Sequence, residues 1–388
     1  MNRPRLVHLA TSDMTLALLL GPQLRAFSAA GYEVIGVSAP GRYVAELEEW
    51  GIEHRALEHA TRAHAPWEDV RLLIELRRLF KELRPDIVHT HTPKPGYVGR
   101  LAARSSGVPT VVHTIHGIFA LPEDPWKKKA LVYTLDRIAS AWSDIELVQN
   151  PEDLPVLRRL RFPERKLRVL GNGVDLTRFD RSRFDAARIA AIRADLGFGP
   201  DDVVCGAVGR LVWEKGYREV FDAAAMLRAR SPRVRFVIVG PVEQRDAVPQ
   251  QELDRAAALG NVTFLGLRDD VEDLYAAMDL SVLASYREGF PRGAMEAAAM
   301  GLPLVLTDIR GCRQVVDDGV NGRLVPVRDA RAFADAIAAL ADDPELRRRM
   351  GAASAAKAKR DFDQQRVIDI TLGAYDELRA RRAVVKTR

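Results

Sequence analysis

Short apolar runs alternating with helical patterns constrain this chain more than any other feature. Leu6 to Ala10 reads as a strand, Pro22 to Ala30 as a helix ended by Gly31, and Glu33 to Ser38 as a second strand closed by Pro40 and Gly41. Leu73, Leu76, Phe80 and Leu83 share one helix face, and Pro85 stops that helix before a strand at Ile87 to Thr90. Val98 to Ala103 then reads as a helix and Val108 to Thr114 as a strand. Alternation at this interval predicts an α/β fold with a parallel, doubly wound sheet, in which ligands lie beyond the carboxyl ends of the strands.

The pattern starts afresh at Val203 with V-V-C-G-A-V. It continues through a helix at Arg218 to Arg228, a strand at Phe236 to Gly240, a helix at Gln251 to Leu259 and a strand at Val262 to Leu265. A length of 388 residues suits about two domains. The expected division is a first domain over 1–175, a polar connection over 176–202, a second domain over 203–362 and a terminal helix with a basic tail over 363–388.

Two stretches of the second half carry chemistry. In S-Y-R-E-G-F-P-R-G-A-M-E, Glu288 and Glu296 bracket a loop of Gly289, Phe290, Pro291 and Arg292 that opens into an Ala-rich helix near Gly293. Amides in the first turn of such a helix, at Gly293 and Ala294, lack helical partners and sit at the positive end of its dipole, which suits a phosphate. A carboxylate accepts hydrogen bonds from vicinal hydroxyls of a ribose or hexose. In G-R-L-V-W-E-K-G, Gly209 allows a sharp turn while Arg210 and Lys215 deliver two cations from one loop at a strand end, a pattern suited to a diphosphate. With charged residues at 29%, two glutamates eight apart mean little alone, so the signal lies in the whole string.

Composition narrows the remaining options. No run approaches the ~18 apolar residues of a membrane span. Cys205 and Cys312 form neither a disulfide framework nor a metal-ligand spacing, which fits a reducing cytoplasm. A formal charge of +5 points to an anionic partner, phosphate or a membrane surface, and no nucleic-acid-binding signature accompanies it. Trp126 beside Lys127, Lys128 and Lys129, and a second run of Arg158, Arg159, Arg161, Arg165 and Lys166, suggest a basic patch for the inner membrane surface.

All eight histidines fall in the first third. His54, His59, His64 and His113 read as ordinary loop or core imidazoles. His89 and His91 hint at zinc, but no acidic or cysteine ligand is spaced to complete a site, and no metal is assigned. Asp361-Phe362-Asp363 matches a metal-binding D-x-D, yet the helical stripe of Val367, Ile370, Ala374, Tyr375 and Leu378 behind it makes the aspartates capping residues.

Taken together, these strings resemble the E-x7-E and G-R-L-x-x-x-K-G signatures of retaining glycosyltransferases of the GT-B fold. That large family includes glycogen synthases, phosphatidylinositol mannosyltransferases and capsular and exopolysaccharide glycosyltransferases. The resemblance spans the chain. It implies two Rossmann-like domains facing across a cleft, with a C-terminal helix crossing back to the first, and transfer of a hexose or N-acetylhexosamine from a nucleotide sugar, a UDP-sugar above all. Arg210 and Lys215 would hold the leaving diphosphate in place of a metal, Glu288 and the Gly289 and Phe290 amides the sugar, Glu296 the ribose, and Leu267 and Arg268 the base. H-T-I-H-G matches the family's His-Gly at a strand end, which gives His116 a sugar contact.

Many relatives carry a Gly-Gly pair after the first strand, where this chain has T-S-D-M-T at Thr11 to Thr15, so no acceptor residues carry over. With H-T-H-T-P-K-P-G at His89 to Gly96, that departure favours transferases of capsule, exopolysaccharide and lipid-linked glycan assembly, hence a glycan or polyprenyl-linked acceptor. Two other classes remain open: a UDP-sugar 2-epimerase of the same architecture, which needs further acid/base groups and lacks this loop, and a non-catalytic sugar-nucleotide binder. A nicotinamide dehydrogenase is disfavoured because no G-x-G-x-x-G follows the first strand.

Overall fold

A computed structural model describes residues 3–61, 66–118, 120, 124–243 and 246–386, so His64 lies outside the described residues. The chain forms two compact units, Met1–Gly171 with Gln365–Arg388, and Asn172–Gln364.

In the first unit seven strands are parallel: β1 Arg5–Ser12, β2 Glu33–Ala39, β3 Glu53–Ala56, β4 Ile87–His91, β5 Thr110–Ile115, β6 Ile145–Val148 and β7 Leu167–Val169, in the order β3-β2-β1-β4-β5-β6-β7. The order reverses between β1 and β4. Side chains alternate between the two faces of each strand. Leu6 and Ala10 of β1, Ile87 of β4 and Val112 of β5 share a core with Val367, Ile368, Tyr375 and Leu378 of the helix Gln364–Lys386. Val7 and Leu9, Val88 and Val111 pack the other way, against Leu72, Leu76 and Phe80 of the helix Pro66–Leu83.

His8 and His89 are direct neighbours across β1 and β4, and His91 lies two residues further along the same face. Three imidazoles thus enter the sheet where its strand order turns.

The second unit repeats the scheme with six parallel strands: β8 Val203–Val208, β9 Val234–Val239, β10 Val262–Gly266, β11 Leu280–Leu283, β12 Leu304–Thr307 and β13 Gly322–Val325, in the order β10-β9-β8-β11-β12-β13. Its order reverses between β8 and β11. The two sequence strings singled out above are the loops leaving those two strands, where a doubly wound sheet binds ligands.

The stretch 176–202, expected as a connection, folds into the second unit: Phe179, Phe184 and Phe198 are buried in its core. The D-x-D reading also shifts. Asp361 is the last residue of the helix Pro344–Asp361 and pairs with Arg360 (2.8 Å) and Lys357 (3.4 Å), so it caps nothing that follows.

Candidate active site

In the second unit a one-turn helix, Trp213–Lys215, lifts Lys215 out of the loop after β8. Its Nζ lies 2.6 Å from Glu288 Oε1, which also accepts from Ser285 Oγ at 2.7 Å. Both members of this pair are largely shielded, at 18% and 9% side-chain exposure, so the charge-assisted bond is held away from bulk water. Gly216 makes the approach possible. It sits at φ +73°, and a Cβ there would lie 2.0 Å from the Ala284 carbonyl oxygen at the end of β11. Gly216→Ala is expected to cost more than ~1 kcal/mol, because it combines a left-handed backbone with a main-chain clash. A lowered Tm in Gly216→Ala checks this.

Arg210 pairs with Glu243, a partner that the sequence strings do not reveal. The neighbouring loops are stitched together through main-chain bonds, Gly209 N to Val239 O (2.8 Å), Gly240 N to Gly266 O (2.7 Å) and Tyr286 N to Glu214 O (2.9 Å). Gly289 and Pro291 lead into the helix Arg292–Ala299, whose first ladder bond runs from Met295 N to Pro291 O (3.2 Å). The amides of Gly293 and Ala294 therefore lie in its open first turn.

Glu296 is one turn in. Its Oε1 accepts from Arg292 Nε at 3.0 Å and its Oε2 from the Tyr275 hydroxyl at 3.4 Å, which also donates to Gly293 O at 2.9 Å. Burial pushes the Glu296 carboxyl up, and Arg292 beside it pulls it back. The Phe290 carbonyl accepts from Asn172 Nδ2 at 3.5 Å. Leu267 is exposed in the loop after β10, and Arg268 is tied to Asp270.

In the first unit His116 follows β5. Its Nδ1 lies 3.0 Å from Gln149 Oε1 and its Nε2 3.1 Å from His91 Nδ1, so both ring nitrogens have protein partners. Burial lowers its pKa to about 4. Beside it is a cavity of about 60 Å³ lined by Thr92, Tyr97, Arg100, Asp136 and Glu146. Arg100 and Glu146 form a buried ion pair at 2.7 Å, and Glu146 Oε2 meets no donor among the described residues. Three other described histidines are partnered too: His54 with Ser38 (3.0 Å), His59 with Glu68 (2.9 Å) and His113 with Thr90 (2.8 Å).

His8 joins His89 and His91 in a buried group whose ring nitrogens lie within 4.8 Å of one another. A spacing search around His89 and His91 does not find it, because the third imidazole comes from a strand 81 residues earlier that only the sheet order brings alongside.

Burial depresses His8 to about 3 and His116 to about 4, and holds His89, His91 and His113 well below the ordinary 6.5. A depressed folded-state pKa contributes stability above the unfolded value and loses it as pH falls through the folded one. The first unit is therefore expected to lose stability steeply between pH 6.5 and about 4. Hydrogen exchange should show β1, β4 and β5 opening in that window while β8 and β9 stay protected.

The two basic runs differ. Trp126 is 72% exposed at the start of the helix Trp126–Ala139, and further along, on a different side of that helix, Leu131, Leu135 and Ile138 form an exposed apolar stripe at helical spacing. Trp67, Val70 and Ile74 form a second stripe on Pro66–Leu83. The run near Arg158 is exposed at Arg158, Arg159, Arg161 and Arg165 but not at its end. Lys166 is buried, with Nζ donating to Ser140 O and Ser143 O at 2.8 and 2.6 Å, and Arg158 is paired with Glu164. Among the described residues no helix is long and apolar enough to cross a membrane.

Two Rossmann-like sheets, with paired acids and cations at the switch point of the second, define a GT-B glycosyltransferase architecture. Comparison with known proteins agrees. The pattern of the family described as glycosyl transferases group 1 matches residues 188–357, and that of glycosyltransferase family 4 matches residues 23–178. The chain is 33% identical over 283 residues, 72% of each chain, to the UDP-Gal:α-D-GlcNAc-diphosphoundecaprenol α-1,3-galactosyltransferase of Escherichia coli. It is 24% identical over 362 residues, 92% of this chain and 94% of the other, to the N,N'-diacetylbacillosaminyl-diphospho-undecaprenol α-1,3-N-acetylgalactosaminyltransferase of Campylobacter jejuni. The crystal structure of Anabaena HepE in complex with UDP and glucose superposes with a TM-score of 0.82, at 22% identity, covering 96% of this chain and 100% of that one. The chain belongs to the group 1 glycosyltransferases.

Proposed function

We propose that the protein transfers a hexose or N-acetylhexosamine from a UDP-sugar to a polyprenyl-diphosphate-linked glycan, with retention at the anomeric carbon. The observation that carries this reading is the shielded Lys215–Glu288 pair at the switch point of the second sheet, beside the open first turn of Arg292–Ala299. UDP in a structural neighbour and undecaprenyl-linked acceptors in two sequence relatives support the substrate classes.

As the bond from the anomeric carbon to the diphosphate stretches, negative charge grows on the phosphate and positive charge on the ring. Lys215, Arg210 and the amides of Gly293 and Ala294 stabilise the first, supplying the positive charge that a divalent metal supplies elsewhere. Glu288 accepts from sugar hydroxyls and Glu296 from the ribose. The acceptor hydroxyl attacks the face the diphosphate leaves, its proton passes to a phosphate oxygen, and a glycoside and UDP result. The exposed stripe of Leu131, Leu135 and Ile138, with Lys127 beside it, rests on the anionic inner leaflet that carries the acceptor, at about 1 kcal/mol per basic residue.

The test is release of UDP from a panel of UDP-sugars, with and without a diphosphoundecaprenyl acceptor in anionic vesicles, in EDTA, followed by NMR of the product's anomeric configuration. Release that needs the acceptor, survives EDTA and gives the α-product from an α-donor is expected. An inverted product, or sugar isomerised without acceptor, overturns the reading.

A further inference from the structure

Between β11 and Glu288 the second unit pins three successive residues. The Ala284 carbonyl is the wall against which Gly216 turns, the Ser285 carbonyl accepts from Thr307 Oγ1 at 2.6 Å, and the Tyr286 amide donates to Glu214 O at 2.9 Å. Glu214 and Gly216 flank Lys215, so one short run ties the loop that carries the ammonium to the loop that carries its partner.

Ser285 and Thr307 are 0% and 1% exposed, and each hydroxyl can point only one way. A backbone carbonyl accepts and cannot donate, so Thr307 donates to Ser285 O. An ionised carboxylate likewise only accepts, so Ser285 Oγ donates to Glu288 Oε1. Thr307 is the last residue of β12, whose Leu306 pairs with Leu283 of β11, and its hydroxyl therefore reaches the start of the Glu288 loop from within the sheet. Buried Cys312 lies beside it. With the Thr307 hydrogen spent on Ser285, the thiol keeps its own proton, and burial pushes that thiol up in the same direction.

The two oxygens of Glu288 are thereby made unequal. Oε1 holds two donors from different loops, Ser285 Oγ at 2.7 Å and Lys215 Nζ at 2.6 Å. Oε2 takes no hydrogen bond from any described residue and, unlike the sealed Oε2 of Glu146, is not enclosed. A lysine on its flexible stem does not by itself fix the plane of a carboxylate. A second donor on a side chain as short as serine does, and it leaves the other oxygen for a ligand hydroxyl.

We infer that Ser285 and Thr307 are positioning residues for the transfer: Thr307 fixes the Ser285 peptide, the Ser285 hydroxyl ties Glu288 Oε1, and Oε2 is left to accept from the sugar. The inference rests on the reading that Glu288 accepts from sugar hydroxyls, and deepens it by naming which oxygen does so and what holds the other. Every residue in it belongs to the second unit.

The test compares variants of the full chain in kcat and KM, with the UDP-sugar that gives the fastest acceptor-dependent release of UDP, and in UDP affinity by calorimetry. Ser285→Ala is expected to lower kcat roughly 10-fold, with KM for the UDP-sugar and the Kd of UDP within about 2-fold of wild type. Thr307→Val keeps the shape and removes the hydroxyl, for an expected loss of about 5-fold in kcat, whereas Thr307→Ser keeps the hydroxyl and stays within about 2-fold. In a Glu288→Ala background, where the tied oxygen is gone, Ser285→Ala and Thr307→Val are expected to do nothing further. Wild-type kcat in Ser285→Ala overturns the proposal. So does a loss of the same factor in the Glu288→Ala background, or a Kd for UDP that weakens roughly 10-fold along with kcat, since either marks a general collapse of the loop. Wild-type kcat in Glu288→Ala overturns instead the role of Glu288 in the proposed function, and the inference falls with it.

Discussion

Glu288→Gln is expected to lower kcat by roughly 10²–10³ while making UDP a stronger inhibitor. The two effects have one origin. Glu288 Oε1 lies 2.6 Å from Lys215 Nζ and takes a second bond from Ser285, so the carboxylate both accepts hydrogen bonds and offsets the ammonium charge. A carboxamide in its place accepts more weakly and offsets nothing. The stretched sugar loses a partner, whereas the diphosphate meets an unopposed cation. Lys215→Ala reverses the second effect: turnover falls and UDP binding weakens. Initial rates with UDP as product inhibitor check both, and weaker UDP inhibition in Glu288→Gln would mean that the pair does not face the diphosphate.

Arg100→Met is expected to destabilise the first unit by about 3–5 kcal/mol, the cost of leaving one member of a buried ion pair alone. Arg100 is 1% exposed and Glu146 wholly buried, with Arg100 Nη1 at 2.7 Å from Glu146 Oε1. Burial raises the Glu146 carboxyl and Arg100 holds it down, so the orphaned acid escapes part of the cost by taking a proton. The penalty should therefore grow as pH rises. The double variant Arg100→Met with Glu146→Leu should recover most of the loss, since neither charge is then stranded. Trp50, Trp67, Trp126 and Trp142 belong to the first unit and only Trp213 to the second, so denaturant unfolding followed by tryptophan fluorescence reads the right part of the chain.

Local pattern revealed some of this architecture and left other parts hidden. The alternation of runs gave two parallel sheets, and the Gly209 and Glu288 strings lie on the strands that flank the reversal of order in the second, because strand ends and helix starts are properties of neighbouring residues. Pairings over long separations were hidden. Glu243, which meets Arg210, follows a different strand, and Tyr375 meets His89 across 286 residues. The H-x-H of His89 and His91 does carry a local signal, since two residues apart in a strand means one face. The identity of what covers that face depends on the strand order and on a helix from the far end of the chain. In the run from Arg158 to Lys166 the four arginines are exposed, as their charge suggests, but Lys166 finds two carbonyls inside the fold.

That far-end helix has a consequence for how the protein is made. Val174 bridges to Asp363, so the second unit leaves and rejoins the chain at nearly one point, as an excursion from an unfinished first unit. A ribosome emits the seven strands of the first sheet long before Val367, Ile368 and Tyr375, and until those arrive part of one face of that sheet is uncovered and His8 and His89 lack their shared hydroxyl. The second unit has all its residues in place sooner, so the half that is translated first matures last. Nascent chains stalled so that the emerged part ends just short of residue 365 should resist protease in the second unit and remain open to it, and to chaperones, in the first.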